Sequence, residues 1–243
     1  MWEFFIETNQ NDVKHLSYIE KSIKFKNVNV ITALNNNSLS IACEEKFKLK
    51  IIEKLKRIIA ESIVLIYKEK YFLNMLNLKN LSAEFKTAFV KCLILFNFEE
   101  DFFEVLNKLE LNYGLVLDSF YKFKLKNLQL KWEQIASVCA NNTLFLESDT
   151  FLEMLKFLIS SITPKRKSID VYFNGSNFVL ADENNNIIVF NEALKTNNIE
   201  LELISGLITL APKTINLHCA GMLTNNTFKI IYYIFNKKVN LLV

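Results

Sequence analysis

LISGLITLAPKTINLHC, residues 203–219, ends in the adjacent pair His218-Cys219. An imidazole beside a thiol can act as base and nucleophile or hold a soft metal. With 2 histidines and 4 cysteines in the whole chain, such chemistry has few other places to lie. TINLHC reads as a strand, and side chains alternate across a strand. Ile215, Leu217 and Cys219 then share one face, while Thr214, Asn216 and His218 share the other. Neighbours pointing in opposite directions cannot form the hydrogen-bonded couple that activates a nucleophile. Cys219 is therefore expected to be a small buried apolar residue, and His218 a polar contact at a strand end. Tetrahedral zinc needs four ligands, or three plus water, and His15, His218 and the dispersed Cys43, Cys92, Cys139 and Cys219 do not show such spacing. No metal, cofactor or catalytic residue is assigned.

A second stretch, FYKFKLKNLQLKW at 120–132, interleaves aromatics with Lys122, Lys124, Lys126 and Lys131. Stacking rings beside a basic track are what single-stranded nucleic acid requires. The simpler reading is an amphipathic helix with Phe120, Phe123, Leu125 and Leu128 inward and the lysines extending outward. The stretch PKRK adds Lys165, Arg166 and Lys167, too short a run to establish a basic surface alone. The acidic pairs Glu44-Glu45 and Glu99-Glu100-Asp101 fall at predicted helix starts, where the helix dipole favours negative charge. No G-x-G-x-x-G or G-K-[ST] pattern occurs, and 4 glycines in all leave little for a backbone phosphate cradle.

These residues must be positioned by a chain of 243 residues, 51% hydrophobic with 21 phenylalanines. That is ample material for a core and argues against disorder. The net charge of +3 is too small to imply a polyanionic partner. Arg57 and Arg166 are the only arginines, which leaves little room for a forked anion site. Scattered cysteines without C-x-x-C spacing predict reduced thiols in a cytoplasmic protein. The opening MWEFFIETNQND lacks the basic and long apolar regions of a signal peptide. Apolar runs such as SIVLIY and CLILFNF fall short of the ~18 residues that span a bilayer.

The elements divide into three zones. Residues 1–43 read as β-α-β-β: the strand MWEFFIE, a helix with Val13, Leu16, Ile19 and Ile23 at helical spacing, then the hairpin VNVITAL–NNNS–LSIACE. Residues 44–163 read as helical. The first long helix carries Leu49, Ile52, Leu55, Ile59, Ile63 and Ile66, and others follow near 82–97, 99–111, 115–139 and 148–162. Residues 164–243 change period: strands SIDVYF, NFVLAD and NIIVFN separated by NGS and ENN, a helix NIELELISGLITLA stopping before Pro212, the strand TINLHC, a helix TNNTFKIIYYIFN and a terminal strand KVNLLV. The expected class is α+β, with a parallel pair near the C-terminus and the option that the two terminal zones share one sheet.

The helix-Pro-strand stretch at 203–219 resembles the corresponding segment of the YtxC-like family, sporulation-associated proteins of endospore-forming Firmicutes. FYKFKLKNL at 120–128 and FLEMLKFLISSITPKRKSIDVYF at 151–173 carry the same resemblance. It covers about residues 115–220 and, loosely, the helix over 44–77. The resemblance implies a cytoplasmic, sporulation-associated protein of undefined activity and brings no catalytic residue with it. The function expected is non-enzymatic interaction or regulation with a protein partner, the alternative being nucleic-acid binding through the helix around 120–132. The expected binding surface is drawn from Lys122, Lys124, Lys126, Lys131, Lys165, Arg166, Lys167 and His218.

Overall fold

Alternation in WEFFIE sets the first strand: Trp2, Phe4 and Ile6 are buried while Glu3, Phe5 and Glu7 point to solvent. The computed structural model describes residues 1–8, 13–24, 28–79, 81–142, 149–189 and 198–242. In chain order, β1 (Trp2–Glu7), α1 (Val13–Ser22), β2 (Val30–Leu34) and β3 (Ser38–Cys43) open the chain. Helices α2 (Lys48–Ser62), α3 (Lys68–Met75), α4 (Ala83–Leu95) and α5 (Phe98–Lys108) follow, with a wide π-type turn over Ile63–Tyr67 joining α2 to α3. Then come β4 (Gly114–Val116), α6 (Leu117–Lys124), α7 (Lys126–Asn142) and α8 (Asp149–Ser160). The chain closes with β5 (Ser168–Phe173), β6 (Phe178–Asp182), α9 (Ile199–Leu210), β7 (Thr214–Leu217), α10 (Asn225–Phe235) and β8 (Val239–Leu241). The class is α+β, as the sequence predicts.

Two compact units form. One takes Met1–Tyr71 and Phe98–Ile135; the other takes Phe72–Asn97 and most of the chain beyond Ala136. The helical middle, 44–163, therefore contributes to both. The strands of the terminal zones lie in separate four-stranded sheets, so the shared-sheet option does not hold.

In the first unit the sheet order is β2-β3-β1-β4, with β1 and β2 antiparallel to β3 and β4 parallel to β1. Its inner face and helices bury Phe4, Ile6, Leu16, Ile19, Ile41, Ile51, Leu55 and Ile59. In the second unit the order is β6-β5-β7-β8, β5 being antiparallel to β6 and parallel to β7, and β7 parallel to β8. There α4 packs on α9, and α8 on α10. The hairpin at Asn174-Gly175 forms as predicted: Gly175 takes φ 93° and the Asn174 side chain accepts from the Ser176 and Asn177 amides. Asn198 caps α9 by accepting from the Glu200 and Leu201 amides, and Thr224 caps α10 by accepting from that of Thr227.

Four local expectations are corrected. Leu49 is 80% exposed, because the buried stripe of α2 runs Ile51, Leu55, Ile58, Ile59. At about 100° per residue, Leu49 points roughly opposite to Ile51. The single helix expected over 115–139 begins instead as strand β4 and is broken at Leu125, between α6 and α7. Phe123, expected inward, is 62% exposed. NIIVFN is not a strand over its described residues: Ile187 makes one isolated bridge to Ala181, and Val189 is exposed. Its last residues, and the first residue of the helix expected over 148–162, fall outside the described residues.

Candidate functional site

The second unit's sheet buries Ile169, Val171, Ile215 and Leu217 on one face. The intervening residues of the same strands therefore face the other way. The parallel register places Asp170 opposite Asn216, and Asn216 opposite Asn240. These three side chains form one rung: Asn240 Nδ2 donates to Asn216 Oδ1 at 3.1 Å, and Asn216 Nδ2 donates to Asp170 Oδ1 at 3.2 Å. A carboxylate only accepts, so Asp170 fixes the orientation of both amides. The next rung toward the carboxyl ends of the strands adds Tyr172 and His218. His218 Nε2 lies 2.8 Å from Asp170 Oδ1, and the Tyr172 ring stacks on the imidazole with centroids 4.3 Å apart and planes 15° from parallel. The His218 and Asp170 side chains are 30% and 18% exposed. Asp170 thus holds the imidazole by one nitrogen, Tyr172 holds it by one face, and the rest meets solvent. The result is an ordered donor, acceptor and aromatic surface at the carboxyl ends of parallel strands, a location that favours ligand contact.

His218 and Cys219 point to opposite sides, as strand alternation predicts. β7 itself ends at Leu217, but the His218 amide still donates to Val171 O at 3.1 Å. Cys219 is buried, with its thiol 3.5 Å from Val171 O. Burial pushes the thiols of Cys43, Cys92 and Cys219 above their ordinary range, and that of Cys139 up to about 11. At neutral pH all four stay protonated, and the thiolate is the reactive form. Among the described residues no group of three or more His, Cys, Asp and Glu side chains is arranged to hold a metal.

The lysines of the aromatic stretch divide. Lys131 donates to Glu104 at 2.8 Å, and Lys108 shares the same carboxylate at 3.0 Å. Partial burial raises the Glu104 carboxyl, but the two lysines outweigh it and hold it below the usual range; the Glu104 hydrogen bond in turn raises Lys131. Lys131 is thus committed to an internal partner. Lys122, Lys124 and Lys126 are exposed. The Lys122 ammonium lies 5.6 Å from the centre of the exposed Phe123 ring. Lys124, Phe120 and Phe123 line a groove of 390 Å³ with Ser119, Gly114 and Lys108. Lys165, Arg166 and Lys167 are exposed just before β5. Backbone bonds from Lys213 to Arg166 and from Thr214 to Lys167 fix that stretch beside the start of β7. Since β5 and β7 run parallel, PKRK lies at the amino ends of these strands and His218 at the carboxyl ends, so they do not form one patch.

The sequence reading missed Asp170, Tyr172, Asn216 and Asn240 as partners of His218. Their polar types at alternate positions in SIDVYF, TINL and VNL were a visible signal. It also missed a buried network in the first unit. Lys68 is wholly buried and donates to Asp101 Oδ2 at 2.6 Å, and Trp132 Nε1 donates to the same oxygen at 2.9 Å. Asp101 does more than favour a helix dipole: Glu99 and Glu100 are exposed, but Asp101 is buried. Beside this network Tyr67 stacks on Tyr121 at 4.3 Å, and Asp118 accepts from Tyr67 Oη at 3.0 Å and Thr8 Oγ1 at 2.7 Å. Burial pushes the Tyr121 phenol up to about 12. These groups act as core.

Among the described residues no helix is long and apolar enough to cross a membrane. Comparison with curated proteins and with solved structures gives no match. The family model of the YtxC-like family matches residues 69–240, a wider span than the 115–220 in which the resemblance was read. It takes in β5 to β7 and reaches Asn240 in β8, and so covers the whole Asp170–His218–Asn240 array. The chain belongs to the YtxC-like family.

Proposed function

We propose that the protein is a cytoplasmic, sporulation-associated binding protein that engages a protein partner through the polar sheet face around Asp170, Tyr172, Asn216, His218 and Asn240. The observation that carries this reading is the Asp170–His218–Tyr172 arrangement: a histidine held by a carboxylate and a stacked phenol ring, with its remaining edge in solvent. Preordered side chains lose little rotamer freedom on binding, and tyrosine is enriched among residues that dominate interfaces. The imidazole's nearest ordered neighbours are a carboxylate, amides and a ring, and the adjacent thiol lies on the opposite face, so binding is better supported than catalysis.

The test replaces the gene with one encoding Tyr172→Ala and His218→Ala. Heat-resistant spore counts are expected to fall to those of a deletion strain while the protein level holds. Normal counts in either strain overturn the reading. In purified form, Tyr172→Ala is expected to weaken partner binding by about 2 kcal/mol, roughly thirtyfold in Kd.

The exposure of Phe123 beside Lys122 and Lys124 favours a second reading, in which that patch stacks and neutralises single-stranded nucleic acid. Labelled single-stranded RNA or DNA is then expected to bind at about 50 mM salt and to be released as salt rises. No binding at the low salt removes this alternative.

A further inference from the structure

We propose that β2 pairs antiparallel with β2 of a second copy of this chain, joining two β2-β3-β1-β4 sheets into one continuous eight-stranded sheet. An unpaired sheet edge templates strand addition, and proteins normally protect such edges by shortness, charge, proline, a bulge or a cover. The four sheet edges of the described residues differ in this respect. β4 and β8 have three residues each. The outer edge of β6 is occupied by the Ala181–Ile187 bridge and by the Ile188 amide donating to Leu180 O at 2.8 Å. β2 has five residues, and its surrounding segment VNVITALNNNS, 28–38, contains neither charge nor proline.

The register identifies which groups are available. Asn35 N donates to Ser38 O at 2.8 Å across the hairpin turn, so the closely bonded pairs with β3 are Asn35–Ser38, Ala33–Ser40 and Ile31–Ala42. The amides and carbonyls of Val30, Thr32 and Leu34 are therefore directed away from β3, toward the open edge. Beside that edge lies a groove of 610 Å³ lined by Glu20, Ile23, Lys24, Val28, Val30 and Thr32.

A second copy fits because the strand is complementary to itself. A two-fold axis at Thr32 sets Thr32 opposite its counterpart and Val30 opposite Leu34 of the second copy, using all the outward groups. On the solvent face, Ile31 meets the smaller Ala33 of the second copy, a large side chain beside a small one. Ile31 is 66% exposed in the single chain and becomes covered. Residues 28–38 bring no charge to the seam, and Glu20 and Lys24 beside it carry opposite signs. The joined face continues inward through Ser40 and Ala42 to Phe5, which is 44% exposed.

Sedimentation of the full chain tests this. A dimer is expected at about 100 μM chain, a hundredfold above a micromolar Kd. Ile31→Lys places like charges near the axis and is expected to weaken association at least about tenfold. Thr32→Pro removes an outward donor without touching the ladder to β3 and is expected to give monomers with an unchanged circular dichroism spectrum. In parallel, hydrogen exchange at the Thr32 amide is expected to slow as chain concentration rises. A monomeric wild type at that concentration overturns the proposal, even if β2 captures an extended segment of another protein. So does a dimer that survives both substitutions, or Thr32 exchange that is independent of concentration.

Discussion

Lys68→Met is expected to destabilise the protein by about 3–5 kcal/mol, since removing one partner of a buried ion pair strands the other. The ammonium and carboxylate lie 2.6 Å apart with side-chain exposures of 0% and 4%. Burial draws the Lys68 ammonium below the usual lysine range, against the opposing pull of Asp101. Methionine keeps the volume but leaves the carboxylate with Trp132 Nε1 as its remaining donor in this network. Asp101→Asn makes the opposite change and removes the carboxylate charge that the buried ammonium faces at 2.6 Å.

The pH dependence of Asp101→Asn separates a stranded charge from lost packing. In Asp101→Asn the buried amine releases its proton below the unfolded lysine value of about 10.4. The unfolded state then binds more protons in that window, so stability rises with pH and the deficit shrinks toward alkali. Urea midpoints at about pH 5, 7 and 10, each referred to wild type at equal m-value, measure both variants. A deficit under about 1 kcal/mol, or an Asp101→Asn deficit that does not change with pH, would show that lost packing rather than a stranded charge accounts for the change.

Lys68 illustrates what could not be read from the chain. In YKEKYF it has the composition of a solvated helix face, yet just past the wide turn over Ile63–Tyr67, which shifts the helical phase, it lies inside and meets Asp101, 33 residues away. Strand alternation, by contrast, depends on local geometry alone. The opposition of His218 and Cys219 and the NNNS hairpin were therefore legible from spacing. Alternate polar types marked a polar face for the partners of His218 but not which of them meet, because Asp170 reaches it through a parallel pairing 48 residues apart, and register between distant strands leaves no local mark. The same distinction separates Ile6, buried in a clean alternation, from Leu49, where an apolar residue in the first turn of α2 imitated the stripe without sharing its direction.

Phe89 and Phe123 turn that distinction into a measurement. Phe89 lies in α4 among Ala88, Val90, Cys92 and Leu93 and is 0% exposed, whereas Phe123, the last residue but one of α6, is 62% exposed. Phe89→Ala removes a full side chain's transfer energy and leaves a cavity, so it is expected to cost about 3–5 kcal/mol. Phe123→Ala removes a ring already largely in water and is expected to stay within about 0.5 kcal/mol of wild type. Reading α6 as a helix with Phe123 inward demands comparable losses from both, so equal shifts in urea midpoint would restore that reading and remove the exposed ring. The variant carries a second readout. If the Lys122–Phe123 patch stacks a base, Phe123→Ala is expected to weaken single-strand binding by about 1–3 kcal/mol while the midpoint stays put. Loss of binding together with loss of stability would instead make the ring a structural element whose removal disturbs the groove lined by Phe120 and Lys124.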